Sequence, residues 1–217
     1  LIEAFLQQVR ATGPVEWLGF ATGVAGVWLA VRENILSWPV LIVCYAAYIG
    51  VAWQAQLAGA LLMNVVFAAL CVYGWRQWAR GEPESDASLK VRFAPARERW
   101  AIVAVWAAGA LVLGAVISTD LVRGWLPPQE TATRLIYLDA FATTGGFVAQ
   151  WLMARKYMEN WIAWTISDLC FIWLWVVQGF WVSVLLFVIF ILLAIDGWIA
   201  WNRSMNRRNA PASNASS

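Results

Sequence analysis

Seven apolar runs, at residues 14–31, 37–54, 57–78, 99–119, 134–153, 160–177 and 180–201, leave this chain little choice of fold. About 20 apolar residues suffice to cross a bilayer as a helix. Inside lipid every backbone amide and carbonyl must bond elsewhere in the chain, and over runs of this length a helix does that. The runs do not alternate apolar and polar residues as barrel strands would. Composition agrees: 62% of residues are hydrophobic and 13% charged, against about 45–50% and 25% in soluble domains. The expected fold is all-α and integral to the membrane, with seven transmembrane helices.

Basic residues orient it. Of 15 Lys and Arg, only Arg10, Arg123 and Arg134 fall at one set of span ends; the rest gather at the other. The positive-inside tendency puts the crowded side in the cytoplasm, with the N-terminus outside and the C-terminus cytoplasmic. The net charge of +2 reflects this asymmetry and is no sign of nucleic-acid binding. Residues 1–13 read as an amphipathic helix in the outer interface. They lack the basic leader and cleavage site of a signal peptide. Residues 204–217 read as a disordered cytoplasmic tail.

The chain also repeats itself. Glu33-Asn34 and Trp38 recur as Glu159-Asn160 and Trp164, an offset of 126; Gly74 and Trp78 recur as Gly197 and Trp201, an offset of 123. Duplication in a membrane chain is how many transporters are built, with substrate held between the halves. The expected organisation is a first three-helix repeat at 14–78, a cytoplasmic linker, linker helix and outer loop at 79–133, and a second repeat at 134–203. One intervening crossing gives both copies the same orientation, so this is a 3+1+3 arrangement of two parallel three-helix repeats. The charged linker between Ala79 and Arg99 is expected to let one copy swing round to the other, and Pro127-Pro128 to stiffen the outer loop.

On the sixth run Asn160, Trp164, Asp168, Phe171 and Trp175 share one helical face. Asp168 lies ~12 Å into the span. An unpaired carboxylate there costs at least ~2.5 kcal/mol. It belongs inside a bundle, beside a polar ligand or cavity. At an offset of 126 the companion stripe is Asn34, Trp38 and Tyr45, with Ile42 matching Asp168. Asn64 and Gln178 are further polar groups. Such a set suits a flat, cationic cargo held between rings, its charge met by the carboxylate. Other readings stay open: Asn34 and Asn160 also fit helix N-caps, Gly74 and Gly197 fit close helix packing, and Asp196 lies near enough to the cytoplasm for solvation or an arginine partner.

Of the 17 tryptophans, Trp17, Trp53, Trp100, Trp125 and Trp181 near outer span ends, and Trp78, Trp151 and Trp201 near inner ones, read as interfacial anchors. Histidine is absent, and Cys44, Cys71 and Cys170 have no metal-ligand spacing, so neither metal nor cofactor is expected. An intramembrane enzyme would have only Asp168 and Asp196 to work with, and nothing in their spacing makes them a dyad.

The segments Val72-Tyr73-Gly74-Trp75-Arg76-Gln77-Trp78 and Ala154-Arg155-Lys156-Tyr157-Met158-Glu159-Asn160-Trp161-Ile162-Ala163-Trp164, with the Gln178-Gly179 turn, resemble the PnuC-type bacterial vitamin transporters. The resemblance covers about residues 14–203. It makes Tyr73, Trp75 and Trp161 further candidates to touch the cargo. It implies a homotrimer of SWEET-like protomers in the bacterial inner membrane, surrounded by lipid. Such a carrier passes a small-molecule vitamin down its gradient without ion coupling, and a cytoplasmic kinase then traps the cargo by phosphorylation. Members carry nicotinamide riboside, thiamine or riboflavin. In the nicotinamide riboside carriers of enteric bacteria, Gln stands in the place of Asn64 and Asn in that of Asp168. This chain departs at both and is similar there to the thiamine-type members. The expectation is therefore thiamine, with nicotinamide riboside the alternative and a proton-coupled carrier a more remote one.

Overall fold

The computed structural model describes residues 2–54, 58–80, 89–119 and 133–209. They form α1 (Ile2–Ala11), α2 (Pro14–Val31), α3 (Ser37–Gln54), α4 (Ala58–Arg80), α5 (Ala96–Ile117), α6 (Thr133–Ala154), α7 (Glu159–Gln178) and α8 (Trp181–Asn209). The helices start and stop within a few residues of the apolar runs, except that α8 continues to Asn209. Residues 204–209 are thus the end of a helix, not tail. Trp125, Pro127-Pro128 and residues 210–217 lie outside the described residues.

Six of these helices are long and apolar enough to cross a membrane. The expected fifth span, α6, is not among them, and its packing explains why. It lies against α4, α5 and α7, and Ala140, Ala142, Thr143, Thr144, Gly145, Gly146, Ala149 and Gln150 are all buried. Hydropathy records how much of a helix meets lipid. A helix wrapped by protein can be small and polar instead.

The contacts close a ring: α2 on α3, α3 on α4, α4 on α6, α6 on α7, α7 on α8, and α8 on α2. Outside it, α5 rests on α6 and α1 on α8. Gln8 pins α1 to the α7–α8 turn, its Nε2 donating to Gly179 O at 2.6 Å.

Within the ring the duplication has a single offset of 123. Helices α2 and α6 end alike: Glu33 and Lys156 both take left-handed backbone, φ 53° and 54°. The amides of Asn34 and Tyr157 reach back to Leu29 O and Leu152 O, each at 3.0 Å. This is the Schellman closure, which satisfies the last carbonyls of a helix. Trp38 then packs on Gly74 and Trp161 on Gly197, each glycine so close that a methyl group would overlap the indole. Finally, Trp78 Nε1 donates to Met153 O at 3.3 Å, and Trp201 Nε1 to Ala30 O at 3.1 Å.

These equivalences correct three expectations. The offset of 126 paired residues doing different jobs. Glu33 sits in a turn, whereas Glu159 opens α7, accepting from Ala94 N at 3.0 Å and pairing with Arg99 at 2.8 Å. Trp38 corresponds to Trp161, and Asp168 to Tyr45 rather than Ile42. Trp78 and Trp201 are buried bridges between halves, not interfacial anchors. Trp100, exposed near the start of α5, lies one residue from Arg99 and hence at the basic end. The linker's far part is fastened, too: Arg92 N donates to Lys156 O at 3.1 Å and Met158 N to Arg92 O at 2.9 Å.

Overpacking a tight helix contact costs about 1–3 kcal/mol. Gly74→Ala is therefore expected to lower the apparent Tm of the purified protein. Gly50, with open space where its Cβ would stand, should tolerate alanine or gain from it, since alanine favours a helix by about 1 kcal/mol. Thermal unfolding of both variants checks the contrast.

Candidate functional site

From the basic end inward, the ring interior is first closed by four indoles. Trp38 meets Trp78 edge-on at 5.2 Å, Trp78 meets Trp201 at 6.3 Å, and Trp201 meets Trp161 edge-on at 5.2 Å. Cys71, Met153 and Met158 fill the same cluster. Quadrupole attraction favours edge-to-face contacts, and each buried indole removes a large apolar area from solvent.

Deeper lies a stack of rings. Phe67 of α4 lies parallel to Tyr45 of α3 at 5.0 Å and 5°, and faces Trp164 of α7 at 6.2 Å and 21°. Gly146 of α6 makes room for it, since a Cβ there would come within 2.9 Å of the Phe67 ring. Asp168 stands one turn further along α7 from Trp164. Its side chain is 1% exposed, and its Oδ1 has no hydrogen-bond partner, like the neighbouring Ser167 Oγ. Among the described residues the ion pairs are Arg99–Glu159, Lys156–Glu33 and Arg208–Glu33, none of which involves Asp168. Tyr45 is its counterpart in the other half, at the offset of 123. Beyond it Phe171 stacks on Phe187 at 5.0 Å, and Trp175 meets Phe180 edge-on at 5.5 Å.

The structure thus brings Tyr45, Trp164 and Asp168 together in mid-bundle and puts Trp38 and Trp161 in the closure below them. Asn64 is buried, but its Nδ2 is taken by Ala60 O at 2.7 Å. Asn160 is buried at the foot of α7, its Nδ2 donating to Tyr157 O at 2.6 Å while its Oδ1 lacks a partner. Tyr73 is half-buried and packs against the tryptophan cluster. Two candidates leave the site. Asn34 is exposed and accepts from Leu36 N at 2.9 Å, a local turn bond. Trp75 is 42% exposed, because one residue's rotation from buried Gly74 carries it about 100° round the helix. Gln178 is exposed as well.

Two residues escaped the sequence reading. Phe67 joins the ring stack, and Gln150 is buried with its Nε2 on Cys71 Sγ at 3.2 Å. The recurrence of Phe67 as Phe190, at the offset of 123, was the signal that could have found the first. Two surface hollows lie elsewhere. One, about 270 Å³, runs between residues 161–166 and 194–199; the other lies by Arg203, Asn206 and Arg207. Neither reaches Asp168. What this interior offers chemically is stacking surface beside an unsatisfied acceptor.

A family model described as "Nicotinamide mononucleotide transporter" matches residues 13–203. Over 212 residues the chain is 26% identical to the nicotinamide riboside transporter PnuC of Escherichia coli (strain K12), covering 91% of this chain and 89% of that protein. Over 197 residues it is 28% identical to the riboflavin/roseoflavin transporter RibM of Streptomyces davaonensis, covering 90% and 88%. Its fold is similar to the crystal structure of the vitamin B3 transporter PnuC, with a TM-score of 0.71 at 20% identity over 95% of this chain and 88% of that one.

An unpaired buried acid is a cost to the empty protein, of at least ~2.5 kcal/mol on insertion scales. For a chain of this size 1 kcal/mol moves Tm by about 2–4 °C. Asp168→Leu is therefore expected to raise the apparent Tm of the cargo-free protein by about 5 °C. A lowered Tm would mean that the carboxyl has a stabilising partner.

Proposed function

Because this chain belongs to the nicotinamide mononucleotide transporter family, we propose that it carries a vitamin with a flat, cationic ring across the membrane, nicotinamide riboside first. The observation that carries this reading is Asp168, buried and unpaired beside the Tyr45–Phe67–Trp164 rings. A planar ring sandwiched between two others needs about 7 Å, two contacts of about 3.5 Å. The Phe67–Trp164 separation of 6.2 Å is already close to that. A small sideways motion of α4 against α7 then admits the cargo, and Asp168 meets its positive charge. Tyr45, Asn64, Asn160 and Phe171 border the same path.

Thiamine, expected from Asn64 and Asp168, has no support among the relatives, whose names give nicotinamide riboside and riboflavin. Riboflavin carries no cationic ring, so the carboxyl favours the nicotinamide cargo of the two. Thiamine stays a second reading on that same carboxyl.

The transport fold we propose is 3+1+3. Helices α2–α4 and α6–α8 are parallel copies, supported by the constant offset of 123 and the closed ring. In it α5 is the linker helix and α6 a seventh span. The basic ends face the cytoplasm of a bacterial inner membrane, with the N-terminus outside. Cargo moves by uncoupled diffusion. Homotrimer assembly and trapping by a phosphorylating kinase rest on the family resemblance.

Titrating purified protein with nicotinamide riboside, thiamine and riboflavin, and following indole fluorescence, tests the cargo. Nicotinamide riboside should bind tightest. Trp164→Ala and Asp168→Asn should each weaken it by about tenfold or more, the loss that about 1.4 kcal/mol produces. Trp53→Ala, 73% exposed at the surface, should not. Unchanged affinity in both interior variants would remove the site from α7.

A further inference from the structure

The basic mouth of the ring is crossed by one ion pair. Lys156 Nζ lies 2.9 Å from Glu33 Oε2, and both side chains are mostly buried. The two residues occupy equivalent places in the two halves, each the left-handed residue that closes a helix, at φ 54° and 53°. Equivalent positions of a pseudo-twofold pair can touch each other only near the axis. The pair therefore stands over the centre of the mouth. Directly beneath it is the tryptophan closure, with Lys156 Nζ 4.7 Å from the centre of the Trp78 ring.

Both residues are unusual where they are. Glycine takes left-handed backbone without strain and is the common choice at this point of a Schellman closure. Glu33 and Lys156 give up that ease, and what they gain is each other. Two acids or two bases at these places would repel; one acid and one base attract. Arg208 of α8 adds a second contact to Glu33 at 3.5 Å. Burial opposes the charge of Glu33, but Lys156 and Arg208 outweigh it and hold its carboxyl below the ordinary carboxylate range.

We infer that the Glu33–Lys156 pair is the latch of the inner gate: cargo leaves at the basic end only when this pair parts and the four indoles separate. The inference rests on the transport reading above, and it assigns that reading a moving part. The latch joins α2–α3 to α6–α7, so its rupture lets the two halves part at the mouth while their outer ends stay packed. A charge pair suits this task, because water entering the mouth solvates both ions as they separate.

Cys71 is a built-in reporter. It is fully buried in the tryptophan cluster, two helical turns inward of Trp78, about 10 Å. In a Cys44→Ala/Cys170→Ala background, a membrane-impermeant maleimide applied to the basic face of vesicles should label Cys71 slowly. Glu33→Gln and Lys156→Gln should each speed labelling about tenfold. Glu33→Gly, which also relieves the left-handed backbone, should do the same. The double glutamine variant should be no faster than Glu33→Gln alone, since that single variant already removes the contacts of Glu33 with both Lys156 and Arg208. Unchanged rates, multiplied effects in the double variant, or equal acceleration from both faces would overturn the latch, the last by indicating a loosened bundle. Acceleration from the opposite face alone would support the latch and overturn the orientation proposed above. No cargo enters the assay, so a wrong cargo assignment leaves its outcome untouched.

Discussion

Two indole hydrogen bonds, exchanged between the halves of the chain, hold the architecture together. Each helix that ends at the basic side leaves carbonyls without partners. Part of that need is met locally, by the left-handed turns at Glu33 and Lys156. Two of these carbonyls accept a second bond from across the ring: Ala30 O, already bonded by Glu33 N, takes Trp201 Nε1, and Met153 O, already bonded by Lys156 N, takes Trp78 Nε1. The need lies with the indoles: a buried N–H requires an acceptor, and the second lone pair of a helix-terminal carbonyl in the other half supplies one. The tight seats of Trp38 on Gly74 and Trp161 on Gly197 set those two rings edge-on against the bridging Trp78 and Trp201.

Against this symmetric frame the site is where symmetry breaks. Turns, glycines and closing tryptophans match residue for residue, but at mid-depth Tyr45 stands opposite Asp168 and Cys44 opposite Ser167. Divergence at these inward positions leaves one half with an acid and the other with a phenol at the same depth, so the two walls of the interior differ in charge. The buried mouth is asymmetric in the same way: the equivalent positions are an acid, Glu33, and a base, Lys156, and they attract.

Much of this was legible in one dimension. The apolar runs located the helices because lipid leaves a long apolar segment no other way to satisfy its backbone. Asp168 announced itself because charge at that depth is expensive. The repeat was visible, but its register was misread. Glu33-Asn34 and Glu159-Asn160 share letters while standing three residues apart in the true alignment. Backbone conformation and packing, which set the real correspondence, leave little trace in residue identity. The same limit explains Trp78 and Trp201, whose positions near span ends suggested anchors. Sequence position gives depth along a helix but not which way a side chain faces across a ring.

The sequence by itself determined that this chain is helical, belongs in a membrane, is internally duplicated and carries a costly acid in its interior, because hydropathy and charge are properties of residues one at a time. Only the tertiary structure decided which rings stack beside that acid, that Asn34 and Trp75 turn away, that α6 is shielded from lipid, and that Glu33 meets Lys156. Those outcomes depend on how six helices close on one another, and the direction a side chain takes around its helix acquires meaning only when the neighbouring helix is in place.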